Sequence, residues 1–406
     1  MIVNRFKLPI ILLFSLIYAE IDAQNTRYLN PVFAEVDIST VNYSDVFNDA
    51  FHKMDIYQPK GDTAARRPLL VYIHGGAFYA GDKATQDCID FCTHYAKRGY
   101  VAVSVNYRLA NALLFLLNPD VQLEAVLKSI ADVKSAIRYF GKDAQTSNSY
   151  KIDTQSVFIG GYSAGGVCAL HTAWVDSESE MDNQLVTIMK KSIKTLDGDA
   201  GNIGYPCNIK AVFSLAGALY KTSYASANDQ PAWLGHAKDD GTVNFNCAPA
   251  LNNPMVLTLC GTGKIYPRLD TVGIAYDTMI LAKGDHGWPG LANKGKDFLN
   301  AVDEIAAFFY PMLPGAANNS LVVYKHLARV KIYPNPSLND LITVDAGAEK
   351  ILSVELYDLT GRKVDYIVGN EMNVIPVNVM QLPSSLYKAV VTCKSGLRTT
   401  VNFQKS

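Results

Sequence analysis

From residue 68 to residue 281 the chain repeats one alternation of apolar and mixed stretches. Apolar runs of strand length occupy 68–73, 100–105, 156–160, 211–215, 231–235 and 276–281. Between and after them, apolar residues recur at helical spacing over 86–98, 122–140, 164–175 and 296–310. The runs are nearly continuous in hydrophobicity, the pattern of strands buried on both faces. Such β–α alternation predicts a mostly parallel sheet with helices on both faces, an α/β fold. Two earlier runs, 35–41 and 51–57, are expected to form an antiparallel edge. Ligands of such a sheet bind at the carboxyl ends of its strands, so the residues directly after each run are the informative ones.

The pattern changes at both ends. Arg5 and Lys7 precede an apolar run over 8–18, and small and polar residues follow at 19–24, which is the order of a secretory signal peptide. That run is too short to cross a bilayer as a helix, which takes about 20 residues. Cleavage is expected after Ala23, with Ala19 as the alternative; an uncleaved amphipathic anchor is the competing reading. No later stretch approaches a transmembrane helix, so the mature protein is expected to be soluble and exported. A Pro/Gly/Asn-rich segment at 311–320 then gives way to short alternating runs at 341–344, 351–357, 373–379 and 387–392, which read as a small all-β sandwich. The expected organisation is a signal peptide over 1–23, an α/β domain over 24–312, a linker over 313–330 and a β-sandwich over 331–406.

Charge narrows the class of ligand. In 406 residues, 37 Lys and Arg stand against 38 Asp and Glu, and only 18% of the chain is charged, so no broad footprint for nucleic acid or an anionic membrane exists. The 49% hydrophobic content excludes a disordered chain. Seven cysteines are too few and too scattered for a disulfide framework. Cys247 and Cys260 flank an irregular loop and are the expected bridge; Cys88 and Cys92, four apart on a predicted helix, suit a pair poorly, and Cys168 reads as a small buried hydrophobe. No His/Cys/Asp cluster has metal-ligand spacing, and no Gly-rich phosphate loop follows the first strand, so neither metal nor cofactor is expected.

The chemistry sits where the sheet predicts it. Gly160-Gly161-Tyr162-Ser163-Ala164-Gly165-Gly166 follows one apolar run and opens a helix, the setting of a nucleophile elbow that leaves Ser163 exposed above the sheet. A serine hydroxyl is a weak nucleophile and needs a base that is largely neutral at working pH. Of the seven histidines, His286 directly follows the last strand and precedes the last helix, where the base falls when the chain order is Ser, acid, His. His171 lies two turns from Ser163 in the same helix, His52 and His94 lie before the core strands or on an outer helix, and His326 lies in the linker. The carboxylate that orients the base should follow the preceding strand, where Asp239 and Asp240 stand. Asp240 is favoured because Asp240-Gly-Thr-Val243 turns back at once into an apolar anchor; Asp285, adjacent to His286, is the lesser rival, and a solvated loop residue is the alternative for either aspartate of the pair. Backbone donors for an oxyanion, worth about 3–4 kcal/mol for one well-placed group, are assigned to the amides of Gly76, Ala77 and Ala164, with Gly75 a further possible contributor. His74 reads as a brace for that loop rather than a catalyst.

With these residues in place, 35–312 resembles the α/β-hydrolase superfamily, close to the His-Gly-Gly type of carboxylesterases and lipases. The matching segments are Met54-Asp-Ile-Tyr-Gln-Pro59, His74-Gly-Gly-Ala-Phe78, Gly99-Tyr-Val-Ala-Val-Ser-Val-Asn-Tyr-Arg108, Gly161-Tyr-Ser-Ala-Gly165, Asp240-Gly-Thr-Val243 and Asp285-His-Gly287. The resemblance implies an eight-stranded sheet and a serine carboxylic-ester hydrolase working through an acyl-enzyme on a small-molecule or polymer-linked ester. Ala77 stands where a third glycine is frequent, and Ala237 and Asn244 where Gly and Pro are common around the acid. An acetyl-xylan or feruloyl-type polysaccharide esterase, an oligopeptidase-type serine peptidase and an inactive binding protein on the same fold are the alternatives. For an oligopeptidase, about 45 residues ahead of the first core strand leave no room for the usual propeller. The apolar segment 112–117 and an insertion over 176–208 are candidates to line or cover the site; 113–117 is read either as acyl pocket or lipid contact, or as a segment packed on the core. At the other end, Tyr333-Pro-Asn-Pro336, Leu356-Tyr-Asp-Leu-Thr-Gly-Arg362 and Leu386-Tyr-Lys-Ala-Val390 resemble the sorting domain of the type IX secretion system, with Ser385 where Gly is common. This resemblance implies a secretion-machinery partner, passage across the outer membrane of a Gram-negative bacterium, and a secreted or cell-surface location.

Overall fold

The computed structural model describes residues 27–289, 295–314, 330–337, 340–347, 350–394 and 398–406. The expected signal peptide, most of the linker and His326 lie outside the described residues. The chain divides into two compact units, residues 27–272 with 279–314 and residues 273–278 with those from 330 onward.

The α/β part contains strands β1 (Val36–Asn42), β2 (Lys53–Pro59), β3 (Arg67–Ile73), β4 (Val101–Val105), β5 (Ile152–Tyr162), β6 (Ala211–Leu215), β7 (Ala218–Leu219), β8 (Ala232–Ala237), β9 (Cys247–Pro249), β10 (Thr258–Gly261) and β11 (Tyr276–Leu281). All but β7, β9 and β10 form one eight-stranded sheet in the order β1-β2-β4-β3-β5-β6-β8-β11. The pairs β4–β3, β3–β5, β5–β6 and β6–β8 are parallel, while β2 runs antiparallel to both β1 and β4, which is the expected edge. Every residue of β3, β4, β6 and β8 is buried, as continuous apolar runs require.

The helices are α1 (Gln86–Lys97), α2 (Ala112–Leu117), α3 (Pro119–Gln145), α4 (Ala164–Trp174), α5 (Asn183–Ser192), α6 (Thr262–Val272) and α7 (Lys296–Phe309). On one face α1 meets α7, where the Tyr95 hydroxyl donates to the Val302 carbonyl at 3.1 Å; α3 and α4 pack together on the other. Helix α3 begins earlier than the apolar periodicity suggests. Pro119 occupies its first turn and Asn118 caps it through the Asp120 amide, a start signal independent of hydrophobicity.

Three features were not expected. Helix α5 lies inside the 176–208 insertion and buries Leu185 and Met189 against α3. Helix α6 forms despite Pro267 in its interior. Strands β7, β10 and β9 make a separate small sheet, in which Cys247 lies directly opposite Cys260 and the two form the expected disulfide. Cys88, Cys92 and Cys168 are buried free thiols.

The C-terminal region contains β12 (Lys331–Tyr333), β13 (Leu341–Asp345), β14 (Ile351–Tyr357), β15 (Lys363–Met372), β16 (Val374–Asn378), β17 (Ser385–Cys393) and β18 (Arg398–Lys405). They form two antiparallel sheets, β12-β13-β16 and β15-β14-β17-β18. Alternate residues such as Ile342, Val344, Val354, Leu356, Ile375 and Val377 point into one shared core, as period-two strands with one wet face must.

Candidate active site

At the end of β5 the chain turns sharply into α4, with Ser163 at φ 55° and ψ −120°, a left-handed conformation that a side-chain-bearing residue holds only when its surroundings impose it. Two glycines make the turn possible. A Cβ on Gly161 would lie 2.2 Å from the Ile73 carbonyl oxygen, and one on Gly165 would lie 1.9 Å from the same atom, so the start of α4 is pressed against the end of β3. The Ser163 amide donates to the Leu215 carbonyl at 2.8 Å, fastening the turn to β6 as well.

The Ser163 hydroxyl meets His286 Nε2 at 2.8 Å, and His286 Nδ1 meets Asp240 Oδ2 at 2.7 Å. The carboxylate fixes the tautomer: Nδ1–H donates to Asp240, and Nε2 accepts from the serine. Asp240 is buried at the end of β8, and its other oxygen accepts from the Thr242 and Val243 amides at 2.9 Å each. Burial alone would raise its pKa, but hydrogen bonds from His236 and His286, the His286 charge and the Val243 amide outweigh it and hold the carboxyl well below the usual range. The carboxylate is therefore held in its ionised form beside the imidazole.

Of the rival acids, neither touches the imidazole. Asp239 Oδ1 accepts from the Gly284 and Asp285 amides at 3.0 Å each, so this exposed loop residue braces the histidine loop. Asp285, at φ 46°, accepts from the Gly287 amide at 2.5 Å and shapes the same loop. Among the described residues, His52, His94 and His171 fall where they were expected. His52 lies beside Asp49 and Asp132, and His94 lies on α1; His171, deep in α4, is discussed below. His74 donates from Nδ1 to the Gly75 carbonyl at 2.6 Å and stacks on Tyr107, whose hydroxyl donates to the His74 carbonyl at 3.0 Å. Burial lowers its pKa, so it is a neutral brace.

Beside Ser163 runs the loop after β3. A Cβ on Gly75 would lie 3.3 Å from the Ser163 Cβ, and Ala77 and Ala164 line the same cavity as Ser163. Gly76 (φ 115°), Ala77 (φ 52°) and Phe78 (φ 62°) form three consecutive positive-φ positions. Bonds from the Ala80 amide to the Gly76 carbonyl at 2.9 Å and from the Ala110 amide to the Phe78 carbonyl at 2.8 Å hold this conformation. The structure thus gathers Ser163, His286, Asp240, Gly75, Gly76, Ala77 and Ala164 at one end of the sheet. An imidazole so placed can accept the serine proton during attack, and backbone amides beside the serine can receive the charge that develops.

Two supporting residues escaped the sequence reading. His236 donates from Nε2 to the Val243 carbonyl at 2.8 Å and lies 3.4 Å from Asp240 Oδ2, so it grips the turn that carries the acid. The signal was a histidine inside an otherwise apolar strand, which must find a partner when buried. The Tyr162 hydroxyl donates to the His286 carbonyl at 2.9 Å. Within the apolar segment 112–117, Phe115 lines the cavity, whereas Leu113, Leu114 and Leu117 are exposed, so the segment contributes one side chain and not a whole wall.

This sheet order, with a strand–serine–helix turn and its histidine and acid on later loops, is that of an α/β-hydrolase. Residues 54–198 match the BD-FAE family and residues 331–403 match the secretion system C-terminal sorting domain, so one chain joins a segment of each kind. Among solved structures, Thermogutta terrifontis esterase 2 phosphorylated by paraoxon is 19% identical and superposes with a TM-score of 0.51, covering 69% of this chain and 95% of that one. Its butyrate-bound form has a TM-score of 0.50 at 19% identity, covering 70% and 95%. Arylacetamide deacetylase of Oryctolagus cuniculus is 30% identical over 181 residues, 43% of this chain and 42% of that protein. Secreted lipase 4 of Gibberella zeae is 31% identical over 121 residues, 29% of this chain and 21% of that one. The chain thus spans less than half the length of these curated relatives.

Proposed function

We propose that the protein is a secreted serine carboxylic-ester hydrolase. Ser163 Oγ attacks the ester carbonyl while His286 Nε2 takes its proton, and the amides of Gly76, Ala77 and Ala164, with Gly75 alongside, receive the oxyanion. His286 then protonates the departing alcohol. Water, deprotonated by the same imidazole, releases the acid from the acyl-enzyme. Asp240 holds one tautomer throughout and stabilises the imidazolium without taking the proton. The observation that carries this reading is the unbroken chain of hydrogen bonds from Ser163 through His286 to the buried Asp240. The matched sorting domain supports export through a secretion machinery, with 24–312 as the catalytic part, 313–330 as linker and 331–406 as the transport part.

A fluorophosphonate probe tests the reading directly. The folded protein should be labelled and should hydrolyse p-nitrophenyl esters; Ser163→Ala should lose the label and at least about 10⁴-fold of the turnover. Folded wild-type protein that neither labels nor turns over any ester of an aryl, acyl and polysaccharide panel would be a binding protein on a hydrolase fold.

A further inference from the structure

The site opens into an apolar cavity that the mechanism above does not use. One wall is a stripe along α4: Ser163 and Ala164 stand at its mouth, then Val167, His171 and Val175 follow at four-residue intervals. Leu123 and Leu127 of α3 line it too, and Met181 and Leu185 of the insertion line it beside Val175, against which they pack. His171 is the one imidazole on this wall, and both its nitrogens are engaged by backbone. Nδ1–H donates to the Val167 carbonyl at 2.8 Å, and Nε2 accepts from the Tyr220 amide at 3.2 Å. The ring therefore presents an uncharged, already satisfied surface. Gln122 is equally occupied: its amide donates to the Phe115 and Met255 carbonyls, and its oxygen accepts from the Leu257 amide.

The cavity lies on the acyl side of the scissile bond. A leaving alcohol must sit within reach of His286 Nε2, which protonates it. Among the described residues, the cavity is lined by none of 282–289, while Ala77 and Ala164, whose amides face the carbonyl oxygen in the proposed mechanism, both border it. Its length follows from the helix. Ser163 and His171 are eight residues apart, about 12 Å at 1.5 Å per residue. An extended hydrocarbon advances about 1.25 Å per carbon, the projection of a ~1.5 Å C–C bond, so the tenth carbon or so reaches His171.

We propose that this cavity takes the acyl group of the substrate and that the enzyme is selective for esters of unbranched aliphatic acids of about eight to ten carbons. Val167 sets the width near the mouth and Leu185 helps to set the depth. The proposal rests on the reading of Ser163 as nucleophile. The competing occupant is a hydroxyaryl acyl group. The buried Tyr224 hydroxyl on the cavity wall has no hydrogen-bond partner among the described residues, and a phenolic oxygen on the substrate would supply one. Apart from the His171 ring, the wall along Val167 and Val175 with Leu123, Leu127, Met181 and Leu185 is aliphatic, and it favours the chain.

The test uses the full-length protein and p-nitrophenyl esters from acetate to palmitate, so that the leaving group is constant, with fluorophosphonate labelling run on every variant. Each buried methylene should raise kcat/KM about three- to fourfold, placing the maximum at octanoate or decanoate, at least tenfold above acetate. Val167→Phe should lower the octanoate-to-acetate ratio at least tenfold, and Leu185→Ala should move the maximum toward dodecanoate. A maximum at acetate, or a Val167→Phe variant that loses all esters by one factor, overturns the acyl cavity. A 4-hydroxycinnamoyl ester preferred over octanoate, with the preference lost in Tyr224→Phe, overturns the aliphatic occupant. Labelled wild type with a flat profile sinks this proposal alone, whereas unlabelled wild type without turnover sinks the reading of Ser163.

Discussion

At the scale of single residues, the acid of the candidate triad separates the three neighbouring aspartates by geometry. Asp240 alone reaches the imidazole, while Asp239 and Asp285 hold backbone amides of the histidine loop. Asp240→Asn should therefore lower kcat by about 10⁴-fold, because an amide in place of the carboxylate favours the wrong tautomer. Asp239→Asn and Asp285→Asn keep an oxygen for the same amides and should lower kcat by less than about tenfold. Steady-state kinetics on one aryl ester checks all three, and a large kcat loss in Asp239→Asn or Asp285→Asn would unseat Asp240. Ser163 and His286 were legible because a local rule places each: a strand, a glycine-flanked turn and a helix for one, the end of the last strand for the other. The choice among aspartates was only favoured from sequence, and the grip of His236 on the acid turn was not visible, since both depend on how β8 and the loops beyond it fold back in space.

Elements buried on both faces were the most legible, as β3, β4, β6 and β8 show, because their residues are mostly apolar, with Arg67, Ser104, Ser214 and His236 as the buried polar exceptions. Elements held by other means were not. Helix α6 carries Pro267, which reads as a breaker, and β9 and β10 are too short to show a period, their pairing resting on the Cys247–Cys260 bridge. Helix α4 carries a consequence for stability. His171 is buried in it, and burial lowers its pKa from about 6.5 to about 4, with the bond to Val167 only partly opposing that shift. Between those two values the unfolded chain binds a proton that the folded chain refuses, so stability rises with pH across the window and is lost on acidification, by up to about 3 kcal/mol below it. Denaturant unfolding at pH 7 and pH 4.5 should show a loss about 2–3 kcal/mol larger in wild type than in His171→Gln, whatever the variant's absolute stability. Equal losses in the two proteins would mean that His171 titrates normally in the fold.

Over the whole molecule, the two regions have separate reasons to be stable. The β-sandwich closes its own core from Ile332, Ile342, Val354, Leu356, Tyr387 and Phe403 among others, and every residue of that cluster falls at 332 or beyond. All of the groups assigned to the chemistry, and the cavity beside them, lie between 75 and 286. The near-balanced charge of the chain, with 37 basic against 38 acidic residues, gives neither region a reason to seek a polyanion. Catalysis and transport should therefore be separable. A chain ending at residue 312 should fold and hydrolyse p-nitrophenyl butyrate with kcat/KM within about twofold of the full-length protein, because no assigned group is removed. In a host with a type IX system the same truncation should stay inside the outer membrane, while a reporter protein joined to 331–406 behind a signal peptide should appear at the cell surface or in the medium. Fractionating the culture and assaying ester hydrolysis in each fraction measures both halves at once. A truncated enzyme that reaches the medium as well as the full chain would remove the transport role from the sandwich, and one that folds but has lost activity would mean that the C-terminal region is needed for catalysis.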